Sequence, residues 1–265
     1  MQSGARQGAA YERYRLVTPA DLLPFILIGF AAQLVDGALG MAFGVISSTL
    51  LISAGVAPAA ASASVHIVES FTTGMSGISH SLMRNVDWRM LARLAIPGVI
   101  GGICGAYLLA GILSEEVARP IVLTYLSLIG LYILWRGIRH KPQERRPRVV
   151  EPLGLAGGFL DAAGGGGWGA VVTGNLLIQG ASPRTTIGTV NTAEFFIAVT
   201  VSATFIATLG FEQFTHVTLG LLFGGVLAAP LGAVLARRVP AHALMIVVGG
   251  VLTLTSAYSI WRALA

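Results

Sequence analysis

The sequence predicts an all-helical, polytopic integral membrane protein of about ten helical elements, built as two inverted-topology repeats of five. Three observations carry this expectation. The mean hydropathy is +0.76, with 54% hydrophobic and only 11% charged residues, outside the range of soluble domains. The apolar residues fall into ten runs separated by short breaks, and 265 residues hold roughly ten spans of about 20 residues with short loops. Sliding the chain along itself by 125 positions aligns its two halves without a gap over 37 residues.

The elements follow in order. Residues 1–21 are polar and lack the basic start, short apolar core and cleavage site of a signal peptide, so they read as an N-terminal tail. The runs are 22–36, 40–54, 59–80, 91–111, 117–136, 152–162, 166–180, 184–209, 215–236 and 241–262. The first two runs of each half are short. They cover only half to three-quarters of a hydrocarbon core about 30 Å thick, so each half is expected to open with a short, Gly-broken helix pair. The domain organisation is a first repeat at 22–137, a basic linker at 138–150 and a second repeat at 151–265. Cys104 is the only cysteine, which excludes disulfides within the chain and thiolate metal clusters.

In the repeat, LVDGALGMAFGVISSTLLISAGVAPAAASASVHIVES faces FLDAAGGGGWGAVVTGNLLIQGASPRTTIGTVNTAEF. Asp36 falls on Asp161, Gly40 on Gly165, Gly44 on Gly169, Gly55 on Gly180, Pro58 on Pro183 and Glu69 on Glu194. Glycines align cheaply in a chain that has 34 of them, but two acidic pairs within apolar runs do not. Further on, GAYLL at 105 faces GAVLA at 232 after a two-residue slip. Five elements per half make the second half enter the membrane inverted, and basic residues then set the sides. With the 138–150 loop in the cytoplasm, twelve of the seventeen Lys and Arg residues share its side, Arg136 among them. The expected topology is a multi-pass protein of the cell inner (plasma) membrane with both termini outside.

The paired DGALG and DAAGGGGWG openings, each followed by a small-residue helix, a GxxP turn and a polar helix, resemble the TauE/SafE family of anion transporters over residues 22–262. This family is also called the toluene sulfonate uptake permease family. The resemblance implies a membrane transporter, its members being linked to sulfite export and organosulfonate movement. The lone Cys104 separates the chain from thiosulfate-uptake relatives that depend on cysteines.

A helix broken within a bilayer leaves backbone N–H groups without intrahelical partners, a cost of several kcal/mol unless protein, water or ligand satisfies them. Glycine permits the break. Helices restarting near Gly40 and Gly165 would aim positive dipole ends at the midplane, where an oxyanion is the natural occupant. The candidate substrate-binding set is therefore Gly37, Gly40, Gly44, Gly164, Gly165, Gly166 and Gly167. Tight helix packing by the same glycines is the competing reading. Asp36 and Asp161 beside the breaks read as N–H caps or proton acceptors.

The helix ASASVHIVESFTTGMSGISH places Ser62, His66, Glu69, Thr73, Ser76 and His80 on one face. Its repeat partner carries Asn191 at the His66 position, Glu194 at the Glu69 position and Thr189 opposite Ser64. Ser64, His66, Thr189, Asn191 and Asn175 join the substrate-binding candidates. Glu69 and Glu194, with the two aspartates, are the proton-coupling or structural carboxylates. An interhelical hydrogen-bond cluster is the competing reading. No Lys or Arg occupies the centre of a span, so helix ends and polar side chains would bind the anion.

The expected function is a secondary transporter exporting a small sulfur oxyanion or organosulfonate by alternating access, with proton coupling at these groups. An anion channel or another small-anion permease is the alternative. A metal-dependent membrane enzyme using His66, Glu69, His80 and Glu194 is disfavoured, because the histidines stand 14 residues apart on one helix. No cofactor, metal or nucleic-acid partner is expected. GGGGWG is followed by no Lys-Ser/Thr and so is no phosphate loop. The expected partners are a small anionic substrate and the lipid bilayer.

Overall fold

A computed structural model describes residues 19–39, 41–139, 147–210, 215–238 and 241–264. The described residues form ten α-helices and no strand. These are α1 (Pro19–Leu39), α2 (Phe43–Ser53), α3 (Pro58–Leu82), α4 (Trp88–Tyr107), α5 (Glu115–Arg139), α6 (Glu151–Gly164), α7 (Gly174–Ile178), α8 (Pro183–Leu209), α9 (Thr215–Arg238) and α10 (Ala241–Leu264). Wide π-turns at Leu108–Ile112 and Gly169–Thr173 extend α4 and precede α7. Residues 1–18, most of the basic linker at 140–146, Gly40 and the loop containing Glu212 lie outside the described residues.

Local sequence explains the boundaries. Pro58 and Pro183 open α3 and α8 at the first helical position, where a missing N–H costs nothing. The Asp87 carboxylate caps α4 by accepting from the N–H groups of Arg89 and Met90, both at 3.0 Å. Gly55 and Gly180 follow α2 and α7 with φ of 100° and 97°, backbone that side chains rarely adopt.

Three segments, Trp88–Ile112, Glu115–Arg139 and Thr185–Leu209, are long and apolar enough to cross a membrane. The outward side chains match that environment, with Phe71, Met75, Leu128, Phe223, Leu227 and Leu254 all exposed. Polar groups such as Ser47, Ser48, Thr49, Ser62, Ser64 and His66 are buried instead. The chain is membrane-embedded, with its polarity directed inward.

Of the short pairs, α1 departs from expectation. It has 21 residues, about 31 Å, because Pro19 starts it before the apolar run begins. The other three pieces are short. In the second pair the Gln179 carboxamide accepts from the N–H groups of Arg148 and Val149 at 2.9 and 3.0 Å and donates to the Val149 carbonyl at 3.2 Å. The end of α7 therefore lies beside the start of α6, so α6 and α7 form a hairpin. In the first pair, Arg119 caps the end of α2 by donating to the carbonyls of Ile52, Gly55 and Val56 at 3.1 to 3.4 Å. Since α5 runs from Arg119 toward Arg136, α2 runs antiparallel to it.

Helices pair α1 with α9, α4 with α6, α3 with α8 and α5 with α10. Small residues let the backbones approach. A Cβ at Gly158 of α6 would lie 2.8 Å from the Gly98 carbonyl carbon of α4, and one at Gly154 only 2.6 Å from the Leu94 oxygen. In the same way a Cβ at Gly29 of α1 would stand 2.7 Å from Leu221 Cα of α9.

Candidate functional site at the helix breaks

The two breaks meet. A Cβ on Gly44 would lie 2.9 Å from Gly166 Cα and 2.9 Å from Glu69 Oε1, so the first break, the second break and the polar face of α3 share one buried point. The second break holds its turn with Gly165, Gly166 and Gly167 at φ of 78°, 134° and 135°. Gly165 ends α6 in the left-handed conformation, and the N–H groups of Gly165 and Gly166 fold back to the Asp161 carbonyl. The carbonyls freed by the break find hydroxyls on neighbouring helices. Ser62 Oγ donates to the Ala162 carbonyl at 2.9 Å, and Ser48 Oγ donates to that of Gly165.

Each break is clamped by its own aspartate. Asp36 Oδ1 accepts from the Phe43 N–H at 3.2 Å, and Asp161 Oδ1 accepts from the Trp168 N–H at 2.8 Å. Each bond spans seven residues and joins one helix end to the next helix start. The carboxylates thus satisfy N–H groups that the breaks leave open. Trp168 is fully buried and donates from Nε1 to the Val190 carbonyl of α8 at 3.2 Å.

His66 lies at the same point, fully buried. Its Nδ1 is 2.7 Å from the Ser62 carbonyl and its Nε2 is 3.1 Å from Asp161 Oδ2. A carbonyl only accepts, so Nδ1 carries a hydrogen; Nε2 and a carboxylate oxygen cannot face each other unless a hydrogen lies between them. Glu69 is adjacent, 3% exposed, with Oε2 unpartnered among the described residues. One ligand atom each from His66, Glu69 and Asp161 lies within 4.8 Å of the others, a group that could hold a proton or a cation.

The remaining candidates lie on several elements, with Asp36 at the first break. Asp36 is half-buried, Gly37 lies within α1, and Gly164 packs against the Tyr125 ring. Ser64 is buried on α3, and Glu194, half-buried on α8, stands outside the three-residue group. Thr189 Oγ1 accepts from the Asp87 N–H at 2.9 Å at the end of the bundle. Asn191 donates to Ser76 Oγ at 3.0 Å, an α3–α8 contact. Asn175 Nδ2 donates to the Val171 carbonyl one turn back, and His80 belongs to no group with His66.

Arg136 is the residue that sequence reading missed. Counted there among the cytoplasmic basic residues, it is only 4% exposed, and its Nη1 contacts Met41 Sδ beside the first break at 3.5 Å. Its place one turn from the end of α5 disguises it, because charge counting does not say which way a side chain points.

These features define a polytopic helical membrane protein whose broken helices meet at a buried polar centre, the architecture secondary transporters use for their substrates. Residues 25–259 match the family described as "Sulfite exporter TauE/SafE", and the chain belongs to that family of membrane transporters. It is also similar to the "Probable membrane transporter protein YtnM" of Bacillus subtilis (strain 168), 43% identical over 247 residues, which cover 89% of this chain and 81% of the relative. No solved structure matches the chain.

Proposed function

We propose that this transporter exports a small sulfur oxyanion, such as sulfite or an organosulfonate, by alternating access between two inverted repeats, with proton binding at His66, Asp161 and Glu69 coupled to anion binding at the glycine breaks. The observation that carries the reading is the contact of Gly44 with Gly166 against the Glu69 carboxyl, with the His66–Asp161 pair adjacent. Ionised, Glu69 repels an oxyanion at that contact. Protonated, it donates a hydrogen bond. Anion and proton therefore favour each other's binding, and such coupling is reciprocal.

Several features support the repeat. Under the 125-residue offset, the Asp36–Phe43 bond maps onto the Asp161–Trp168 bond. With the two-residue slip, the Gly154–Leu94 contact maps onto Gly29–Leu221. The first helix of each half packs on the fourth of the other, while third pairs with third and fifth with fifth. Positions 22–137 and 151–265 are the two repeats and 138–150 is a cytoplasmic linker, with both termini outside the inner membrane. An inside-negative potential favours outward movement by about 2.3 kcal/mol per 100 mV for each net negative charge carried, and a co-bound proton cancels one such charge.

The test is flux in proteoliposomes of sulfite, sulfate, thiosulfate and ethanesulfonate, each with and without a pH gradient. Selective sulfite or sulfonate flux that responds to the gradient is expected. Absence of flux for all four overturns the substrate assignment, and gradient-insensitive flux at channel rates overturns the transport mode.

A further inference from the structure

Arg136 is a buried cation for which no carboxylate lies within ion-pair distance among the described residues. Its Nε is unpartnered, and so are the buried Tyr132 hydroxyl, one turn away on α5, and the Thr173 hydroxyl at the start of α7. Arg136 and Tyr132 both flank Gly174. A Cβ there would stand 2.8 Å from Tyr132 OH and 3.2 Å from Arg136 Nη1, so guanidinium and phenol lie side by side, packed closely on the Gly174 backbone. Met41, beside the first break, touches the same guanidinium through the thioether contact to Nη1. A buried guanidinium is costly without a counter-charge, and a thioether is a weak acceptor that supplies none.

We infer that Arg136 and Tyr132 form a second anion station, separate from the Gly44–Gly166 contact, where a sulfite or sulfonate head binds the guanidinium beside Gly174 on its way to or from that contact. The class of ligand follows from the donors. A planar guanidinium with a hydroxyl donor beside it suits a compact oxyanion with several acceptor oxygens. The site lies between the first break, which Met41 flanks, and the start of α7 at Gly174. An anion seated there neutralises the charge that Arg136 holds between them. The inference rests on the proposed anion transport.

The test uses the full-length protein in phosphatidylcholine vesicles with sulfite and ethanesulfonate as probes. Half-saturating concentrations are measured for wild type, Arg136→Gln, Tyr132→Phe and Gly174→Ala. Expected is a rise of about tenfold or more for Arg136→Gln and a smaller rise for the other two. Arg136→Lys recovers part of the loss, because it restores the charge but not the fork. Tyr132→Phe and Gly174→Ala keep the question open to an answer if Arg136→Gln fails to fold. Unchanged half-saturation in all three variants overturns the station and leaves the transport reading intact. No flux in wild type overturns the transport reading itself. Phospholipid that co-purifies with wild type and is lost from Arg136→Gln, with anion half-saturation unchanged, assigns the site to a lipid headgroup and also overturns the station.

Discussion

At the residue scale, the two breaks are built by the same device with different residues. Gly167 has φ of 135°, and at the matching position of the first half Ala42 has φ of 108°. That value is strained for any residue with a Cβ, at a cost of order 1–3 kcal/mol. Replacing Ala42 by glycine removes the strain and adds unfolded-state entropy, so Ala42→Gly is expected to raise stability by about 1 kcal/mol. Thermal unfolding in detergent measures it, and an unchanged or lower midpoint would contradict the strain argument. Gly167→Ala is expected to lower the midpoint, since the new methyl meets both a positive φ and the Tyr125 hydroxyl. The aspartates were legible in the sequence as carboxylates beside glycine breaks. Their clamping bonds follow from the spacing of seven residues between Asp36 and Phe43 and between Asp161 and Trp168.

At the element scale, the hairpin of α6 and α7 is fixed against α4 by glycine-to-backbone contact. Gly158→Ala pushes a methyl into the Gly98 backbone and is expected to cost about 1–3 kcal/mol or more. Gly250 of α10 has nothing within 4 Å of its would-be Cβ, so Gly250→Ala is expected to gain up to about 1 kcal/mol from helix propensity. Opposite signs for two chemically identical changes separate packing from propensity, and a shared sign would refute the assignment of tight contact. The same hairpin is tied at its rim by Arg93, whose Nε and Nη2 meet the two Glu151 oxygens at 2.5 and 3.0 Å. Arg93 holds the Glu151 carboxyl down at about 2, below its usual 4.5. A depressed carboxyl contributes above its unfolded range and loses that contribution as pH falls through the folded value. Flux that changes between pH 6 and 8 therefore cannot originate there, and Glu151→Gln is expected to leave that part of the pH profile in place.

The length of α1 and the dispersal of Thr189, Asn191 and Asn175 were not legible, for one physical reason. In a chain that is apolar on every side, periodicity does not say which face of a helix meets which neighbour. Asn191 occupies the repeat position of His66, yet it turns to Ser76, whereas His66 turns to Asp161. Arg136 was hidden in the same way, since a basic residue one turn from a helix end counts toward orientation whether it points to water or inward. What sequence does record is the pattern that must be kept whichever way the helices turn: glycine where φ is positive, proline where helices begin, a carboxylate where N–H groups open.

At the scale of the whole molecule, the pairing of α1 with α9 and α4 with α6 gives both halves the same contacts, but the chemistry is not shared equally. The His66–Asp161 pair joins α3 to the second break, and under the proposed repeat its equivalent would join Asn191 to Asp36. With His66, Asp161 and Glu69 gathered at one centre, proton binding is expected there and not at the equivalent Asn191 position. Topology is checked in a Cys104→Ser background, because Cys104 is exposed. Glu116→Cys is expected to react with an impermeant maleimide in intact cells and Arg148→Cys only after permeabilisation, whereas the reverse order would invert the orientation.

The most direct test of the central claim is anion flux in proteoliposomes under an imposed pH gradient, comparing wild type with Glu69→Gln and His66→Gln. Expected is wild-type flux of sulfite or ethanesulfonate that follows the gradient. Glu69→Gln, which mimics the protonated carboxyl, should retain flux but lose most of its response to the gradient, and His66→Gln should lose both. A gradient response in either variant equal to that of wild type would contradict proton coupling at the meeting point of the two breaks.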